Sequence, residues 1–315
     1  MQCDIAIIGG GPAALAAAIY AARSAFETKI VERAMVGGQS ALTADIANYP
    51  GFPDGIGGQE LSDRMRKQAE RFGATFVSGE VDHVERRGEA EHFKICMKND
   101  CIECRVVIVA SGASPRQLGV PGEEEYRGRG VSYCGTCDGP FFRDKRLIVI
   151  GGGDSALKEA LHLAKFASEL TIVHRRDAFR AERIYQAQVE EHEKISVRWN
   201  AVVEAILGDK TVTGVRLRDT ETDETEERDA DGVFIFVGAE PNTNFLCNLI
   251  EADCGGHVET GDDMMTRIPG LFAIGDVRKG SYRQIATAVG EGATAAIAAE
   301  HYLSDRDAGR TPAGD

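Results

Sequence analysis

No apolar run in this 315-residue sequence is long enough to span a bilayer. No basic, then apolar, then small-residue segment precedes the first strand at residues 4–8, so no secretory leader is expected. Positive charge is in deficit. The 36 Lys and Arg against 50 Asp and Glu leave a net charge of −14, which argues against nucleic acid and anionic membrane surfaces as partners. Eight cysteines are too few for a disulfide scaffold. There is no tandem repeat shorter than a domain, and the histidines show no spacing suited to a metal site or a catalytic triad. The expectation is a cytoplasmic protein in a reducing compartment, where a disulfide would be catalytic rather than structural. Hydrophobic content of 43% and charge of 27% are ordinary for a soluble globular chain, and the length suits two domains better than one.

Against these absences one stretch stands out: Cys134-Gly135-Thr136-Cys137-Asp138-Gly139. A Cys-x-x-Cys pair in such a chain is either a redox dithiol or half of a metal site. Two intervening residues let the sulfurs meet in an easily reduced disulfide. Asp138 places a possible proton donor or acceptor beside them. Gly139 and Pro140 break the chain, which predicts an exposed bend.

Two glycine turns flank this stretch in the sequence. The first follows the apolar run 4–8 and reads Gly9-Gly10-Gly11-Pro12-Ala13-Ala14, with Gly9, Gly11 and Ala14 in the slots of Gly-x-Gly-x-x-Gly/Ala. An Ala-rich helix to residue 23 and a strand ending in Glu32 complete a dinucleotide fingerprint. Glycines there let the backbone approach a pyrophosphate at a helix N-terminus, and Glu32 can accept ribose hydroxyls. The second follows residues 147–150, with Gly151, Gly153 and Ala156 in the slots and a helix expected over 155–166. Its strand, 170–173, ends not in an acid but in His174-Arg175-Arg176, with Arg180 one turn on. Guanidinium forks match a 2′-phosphate that a carboxylate would repel, so this site is expected to take NADPH. Two fingerprints of opposite end-charge imply two nucleotides, usually FAD and NAD(P)H.

Elsewhere the pattern predicts a helix over 58–72 and short strands at 75–77, 81–84 and 93–97, with turns at Gly88-Glu89 and Asn99-Asp100. A buried strand is expected at 106–110, ending in Ser111-Gly112. A hairpin at 202–218, an acidic turn at 219–227 and a strand at 233–237 come next. A strand at 271–276 ends in Gly275-Asp276, a helix covers 285–301, and a frayed tail follows from 304. The expected fold is α/β, with two Rossmann-like domains and the second inserted into the first. Residues 1–116 and 244–315 would bind FAD, and residues 117–243 would bind NADPH and carry the dithiol.

The sequence resembles the low-molecular-weight bacterial thioredoxin reductases, within the flavoproteins that carry two dinucleotide-binding domains. The resemblance rests on the two glycine turns, Gly37-Gly38-Gln39, Asn48-Tyr49-Pro50-Gly51, the Cys-Gly-Thr-Cys-Asp-Gly stretch, His174-Arg175-Arg176-Asp177, Gly275-Asp276-Val277 and Tyr282-Arg283-Gln284, in that family's order. It implies FAD contacts at Gly9, Gly11, Pro12, Ala13, Glu32, Gly38, Gln39, Asn48, Gly112, Gly275, Asp276, Arg283, Gln284 and Ile285. It implies NADPH contacts at Gly151, Gly153, Asp154, Ser155, His174, Arg175, Arg176 and Arg180. Ala14 stands where the third glycine is usual, which the fingerprint permits. Gly135 stands where Ala is frequent, a change that could loosen the loop.

By the same resemblance, electrons pass from NADPH through FAD to the Cys134–Cys137 disulfide, with Cys137 nearer the flavin. Cys134 then attacks the disulfide of thioredoxin, Cys137 resolves the mixed disulfide, and Asp138 handles the proton. Rotation of one domain against the other, with hinges at 116–119 and 238–243, and a homodimer are also implied. Members that use ferredoxin or oxygen tend to lack either the arginines or the dithiol, and this chain has both. Two alternatives stand beside this reading. One is the same scaffold with another acceptor: a peroxiredoxin-type partner, a small dithiol or oxygen. The other is a zinc module built from Cys101, Cys104, Cys134 and Cys137. Odd spacing would point Cys101 and Cys104 to opposite faces of a strand, so a disulfide between them is not expected. Cys3, Cys247 and Cys254 carry no pattern.

Overall fold

The computed structural model describes residues 1–43, 45–87, 92–247, 249–250 and 256–310; the turn expected at Gly88-Glu89, residues 311–315 of the expected tail, and Cys254 lie outside them. The chain divides into two compact units, Met1–Ser114 with Glu240–Asp315, and Pro115–Ala239. The crossings thus fall at 114/115 and 239/240.

The first unit begins β1 (Gln2–Ile8), α1 (Pro12–Arg23), β2 (Thr28–Glu32), α2 (Gly58–Arg71) and β3 (Thr75–Ser78). It continues with β4 (Val81–Arg87), β5 (His92–Met97), β6 (Asp100–Val109) and the three-residue strand β7 (Ala113–Pro115), which reaches the first crossing. Its sheet runs β3-β2-β1-β6-β5-β4. The β1, β2 and β3 pairings and β1–β6 are parallel, while β5 is antiparallel to both β4 and β6. β6 starts earlier than the apolar run alone suggested, because its first half alternates faces as the partner of β5 and only its second half is buried throughout. β16 (Ala239–Pro241) spans the second crossing, and after it come β17 (Leu271–Ala273), parallel to β6, and α6 (Ile285–Asp307). That helix runs on through Ser304–Asp307, where fraying was expected; Leu303 is fully buried, and Asp307 pairs with Arg105 of β6.

Alanine dominates α1 for a packing reason. A Cβ on Gly292 of α6 would overlap the Ala13 carbonyl oxygen, so the two helices meet backbone to backbone over a stripe of small residues. Fully buried Ile5, Ile7, Ile108 and Phe272 fill the sheet face beneath. Each such side chain contributes about 1.5–3 kcal/mol on leaving water.

The second unit holds β8 (Val131–Ser132), α3 (Gly135–Asp138), β9 (Arg146–Ile150), α4 (Asp154–Leu163), β10 (Glu169–Val173), α5 (Arg183–Glu190) and β11 (Ile195–Arg198). It ends with β12 (Ala201–Gly208), β13 (Val212–Asp219), β14 (Thr225–Asp229) and β15 (Gly232–Ile235). The parallel sheet runs β11-β10-β9-β15-β8, and β12-β13-β14 form a separate antiparallel meander. The stretch 219–227, expected as an acidic turn, carries part of β14. Its acids find cations on other strands: Glu227 pairs with Arg216 of β13, and Glu226 with Arg198 at the end of β11.

In each unit the strand order reverses beside the central strand. β1 has β2 on one side and β6 on the other, while β9 has β10 on one side and β15 on the other. Open α/β sheets bind ligands outside the carboxyl ends of the strands at such switch points. Both glycine turns lie there.

Candidate active site

In the second unit, Cys134 and Cys137 are joined by a disulfide, with Cα atoms 5.3 Å apart. Cys134 is the N-cap of the one-turn helix α3, and its sulfur accepts the Cys137 amide at 3.1 Å. An amide aimed at that sulfur favours a thiolate there once the disulfide opens. The stretch is not the exposed bend expected. Both cysteines are half-buried and Gly135 is buried, because α3 packs on α4. The zinc reading requires the sulfurs that this disulfide occupies.

Asp138 is held by Ser132, whose hydroxyl donates to Oδ2 at 2.6 Å while accepting the Cys134 amide at 3.0 Å. Desolvation pushes the Asp138 carboxyl above the usual carboxylate range, against the pull of the Ser132 hydrogen bond. A second buried acid escaped the sequence reading. Glu159 of α4 receives the Thr136 hydroxyl at 3.4 Å, and burial raises its pKa. A Cβ at position 135 would overlap Glu159 Oε2, so the glycine at 135 makes room for a carboxylate, and the loop is packed rather than loosened. Nothing in the spacing signals Ser132 or Glu159; only the packing of α3 on β8 and α4 brings them in.

The second glycine turn is built tightly. Gly151 has φ +149°, and a Cβ there would lie 2.5 Å from the Phe236 carbonyl oxygen at the end of β15. A Cβ on Gly152 would enter the His174 ring. That ring is buried, bonded through Nε2 to the Ala178 carbonyl at 3.1 Å and packed on Phe179 and Trp199. His174 therefore sits under the turn as a packing piece, while Arg175, Arg176 and Arg180 are exposed. Asp154 Oδ1 accepts the Glu182 amide at 2.7 Å, and the Arg180 amide donates to the Gly152 carbonyl at 2.8 Å. By contrast, a Cβ on Gly153 would meet no protein atom within 4 Å, and the N-terminus of α4 has no side-chain cap. This is a cradle suited to a pyrophosphate.

The first unit repeats the pattern. Gly9 has φ +106°, and its Cβ would overlap the Ala110 carbonyl oxygen at the end of β6. A Cβ on Gly11 would meet nothing within 4 Å, and α1 likewise lacks a side-chain cap, with Pro12 and Ala13 opening its first turn. Glu32 is oriented by two amides, Gly10 at 2.6 Å and Ala34 at 2.8 Å. Gly38 lies beside Gly11, its built Cβ 3.6 Å from Gly11 Cα. Gln39 donates to the Ala113 carbonyl, next to Gly112, and Asn48 Nδ2 donates to Gln284 Oε1 at 3.1 Å. Asn48 and Gln284 are thus brought together from opposite ends of the sequence, with Ile285 opening α6 behind them. Asp276 lies in the short turn Gly275–Val277 with its carboxyl raised by desolvation, a rise opposed by Arg283. Glu291, not anticipated, steadies that turn by accepting the Gly275 amide at 2.6 Å and pairing with Arg278 at 3.1 Å.

The expected hinge residues are pinned within their own units. The Arg116 amide bonds the Gly238 carbonyl at 3.0 Å in the second unit, and Asn242 bonds Ser111 and Gly112 in the first.

A switch-point glycine turn in each unit, with a Cys-x-x-Cys disulfide between them in the sequence, defines a nucleotide-dependent disulfide oxidoreductase. The family described as pyridine nucleotide-disulphide oxidoreductase matches residues 3–292, and the chain belongs to it. Within that family its relatives include thioredoxin reductases. That of Bacillus subtilis (strain 168) is 45% identical over 96% of this chain and 95% of the relative, and that of Mycolicibacterium smegmatis is 45% identical over 96% and 97%. Among solved structures, the thioredoxin reductase of Streptococcus pyogenes MGAS5005 is 44% identical with a TM-score of 0.91, covering 96% of this chain and 99% of that one. That of Giardia duodenalis is 34% identical with a TM-score of 0.89 over the same shares. Among the described residues no helix is long and apolar enough to cross a membrane.

Proposed function

We propose that the protein is an NADPH-dependent thioredoxin-disulfide reductase containing FAD. The observation that carries this reading is the Cys134–Cys137 disulfide capping a one-turn helix beside a desolvated carboxyl, on a chain with two anion cradles of opposite end-charge.

The first unit's cradle, Gly9 to Ala13, and Glu32 fit the adenosine end of FAD. Gln39, Asn48, Asp276, Arg283 and Gln284 fit its flavin and ribityl portions. Gly153, with Arg175, Arg176 and Arg180, fits NADPH. When bound, FAD supplies the two-electron carrier between the nicotinamide and the disulfide.

The protein's own residues do the exchange chemistry. With the disulfide reduced, the Cys137 amide and the helix N-terminus stabilise a thiolate on Cys134. That sulfur attacks the disulfide of thioredoxin, one partner sulfur leaves as thiolate, and a mixed disulfide forms. Cys137 then displaces the second partner sulfur and the Cys134–Cys137 bond closes, so two thiols on the partner balance one disulfide here. Asp138, its carboxyl raised by burial and steered by Ser132, is placed to give a proton to the departing thiolate or to receive one. We further propose that the protein works in the cytoplasm as a homodimer.

The test is Cys134→Ser. NADPH should still bleach the flavin absorbance of this variant, while thioredoxin reduction falls by at least 1000-fold. Full turnover by the variant would refute the scheme.

A further inference from the structure

Five cysteines are free among the described residues, and four of them meet in pairs in the first unit. Cys101 and Cys104 lie three apart on β6 and so point to opposite faces. Cys104 stands opposite Cys3 of β1 on the core side, where both are buried. Cys101 stands opposite Cys96 of β5 on the other face. The hairpin between them is the tightest available: Met97 and Asp100 flank a two-residue turn of Lys98 and Asn99. Such a turn is closed by a hydrogen-bonded pair, and pair types alternate along an antiparallel ladder. Cys96 and Cys101 therefore occupy a non-hydrogen-bonded position, where Cα atoms stand about 4.5 Å apart. That separation lies inside the range a disulfide bridges, about 4.4–6.8 Å. Burial together with the Cys101 sulfur pushes the Cys96 thiol up to about 11. Cys96 is 8% exposed, whereas Cys101 is only partly covered, so Cys101 is the sulfur that an oxidant meets first.

We propose that Cys96 and Cys101 are a second redox site, distinct from the Cys134–Cys137 pair: a cross-strand dithiol that closes to a disulfide when the protein meets a hydroperoxide. The Cys101 sulfur attacks the peroxide oxygen, the O–O bond breaks, and the leaving oxygen departs as water or an alcohol. Cys101 is then a sulfenic acid. The Cys96 sulfur displaces its hydroxyl, which leaves as a second water on taking up the Cys96 proton, and the S–S bond forms. Two thiols are oxidised by two electrons and one peroxide is reduced. A small dithiol reverses the closure by exchange. The site needs neither flavin nor thioredoxin, so it stands or falls apart from the proposed function.

Lys98 lies between the two cysteines, which makes the test direct. The full-length protein is reduced with a small dithiol, freed of it, and treated with hydrogen peroxide until the tryptic peptide 130–143 shows the Cys134–Cys137 pair fully oxidised. It is then unfolded, alkylated and digested with trypsin. The expected major product joins peptide 95–98 to peptide 99–105 alkylated at Cys104, at a mass two hydrogens below the sum of those two, and the link is lost on dithiol treatment. It persists in Cys104→Ser and disappears in Cys101→Ser, where Cys96 is alkylated instead. Separate alkylated peptides 95–98 and 99–105 from the wild-type protein would overturn the proposal. So would Cys101 carried through to sulfinic acid with Cys96 still free, or a link from Cys3 to Cys104 in its place.

Discussion

The two glycine turns are one device used twice, and their difference is chemical rather than architectural. In both, the first glycine sits at the end of the central strand with positive φ, where any Cβ would press on the carbonyl ending the neighbouring strand: Ala110 for Gly9, Phe236 for Gly151. In both, the glycine two residues on faces no protein atom. The turns part company at the end of the next strand. In the first unit a carboxylate, Glu32, is locked by two backbone amides. In the second unit the equivalent place holds a neutral-favouring buried histidine that fills the underside of the turn, with arginines projecting from it. On the proposed reading, a shared frame sets where a dinucleotide lies, and one or two side chains at a strand end decide whether a ribose 2′-phosphate is accepted.

The comparison is broken most severely at its shared element. Gly9→Ala would force an L-residue into φ +106° and into the Ala110 carbonyl, so the first unit should fail to fold and the protein should be recovered without flavin. The second fingerprint glycines, two residues on, test the frame without this damage. Gly11 is the N-cap of α1 at φ −73°, and Gly153 that of α4 at φ −101°, both conformations open to alanine. Gly11→Ala should give a folded protein that loses flavin absorbance on gel filtration yet binds NADPH normally. Gly153→Ala should do the opposite, keeping flavin and weakening NADPH by about 100-fold, on the scale of one lost charge-assisted hydrogen bond. Equal effects of both substitutions on both nucleotides, measured by absorbance and equilibrium dialysis, would show that the two cradles are not assigned as proposed.

These turns were the most legible part of the sequence because their constraints are local: a strand, a tight turn and a helix follow one another within thirty residues. The α/β class was readable for the same reason, whereas the insertion of one unit into the other was readable from the final strand and helix, which complete the opening unit. The Cys-x-x-Cys pair was legible as a pair, but its surroundings were not. Ser132 and Glu159 are ordinary residues that act only because β8 and α4 pack against α3. His174 looked like part of a cationic cluster, since the sequence shows adjacency and not that its ring turns inward beneath Gly152. β14 was read as a turn because its acids are neutralised by residues distant in the sequence, Arg216 of β13 and Arg198 of β11, which no local pattern records. Cys96 and Cys101 became a pair only through the register of β5 on β6.

A smaller effect sharpens the comparison at the strand end. Arg175 and Arg176 are exposed and are available to a 2′-phosphate as forked donors. The double variant Arg175→Ala, Arg176→Ala should raise KM for NADPH by roughly 10- to 100-fold, as expected for charge-assisted hydrogen bonds of about 1.5–3 kcal/mol. It should leave KM for NADH within twofold and flavin reduction at saturation unchanged. A parallel loss with NADH would mean that the arginines hold the turn rather than read the phosphate.

The smallest effect concerns the histidine itself. Burial, then the charges of Arg176, Arg180 and Arg175, depress the His174 pKa below its ordinary 6.5, against the bond to the Ala178 carbonyl. In the unfolded chain His174 takes up a proton as pH falls through about 6.5, while the folded chain resists. The unfolded state therefore binds more protons, and stability is lost as pH drops below 6.5, by at most about 1.4 kcal/mol per pH unit for one group. His162 on α4 is also depressed by burial and works in the same direction. The desolvated carboxyls of Asp138 and Glu159 work in the opposite sense, because their folded forms keep a proton to higher pH. The wild-type slope is thus a sum, and the informative quantity is its change on substitution. His174→Gln cannot titrate, so the loss in urea midpoint between pH 7.5 and 5.5 should be visibly smaller than in the wild type. An unchanged slope would show that His174 protonates as readily in the fold as in the unfolded chain, and a larger loss in the variant than in the wild type would show that it is held charged under the turn. The strand ends of the two units would then differ by one more cation rather than by a neutral packing ring.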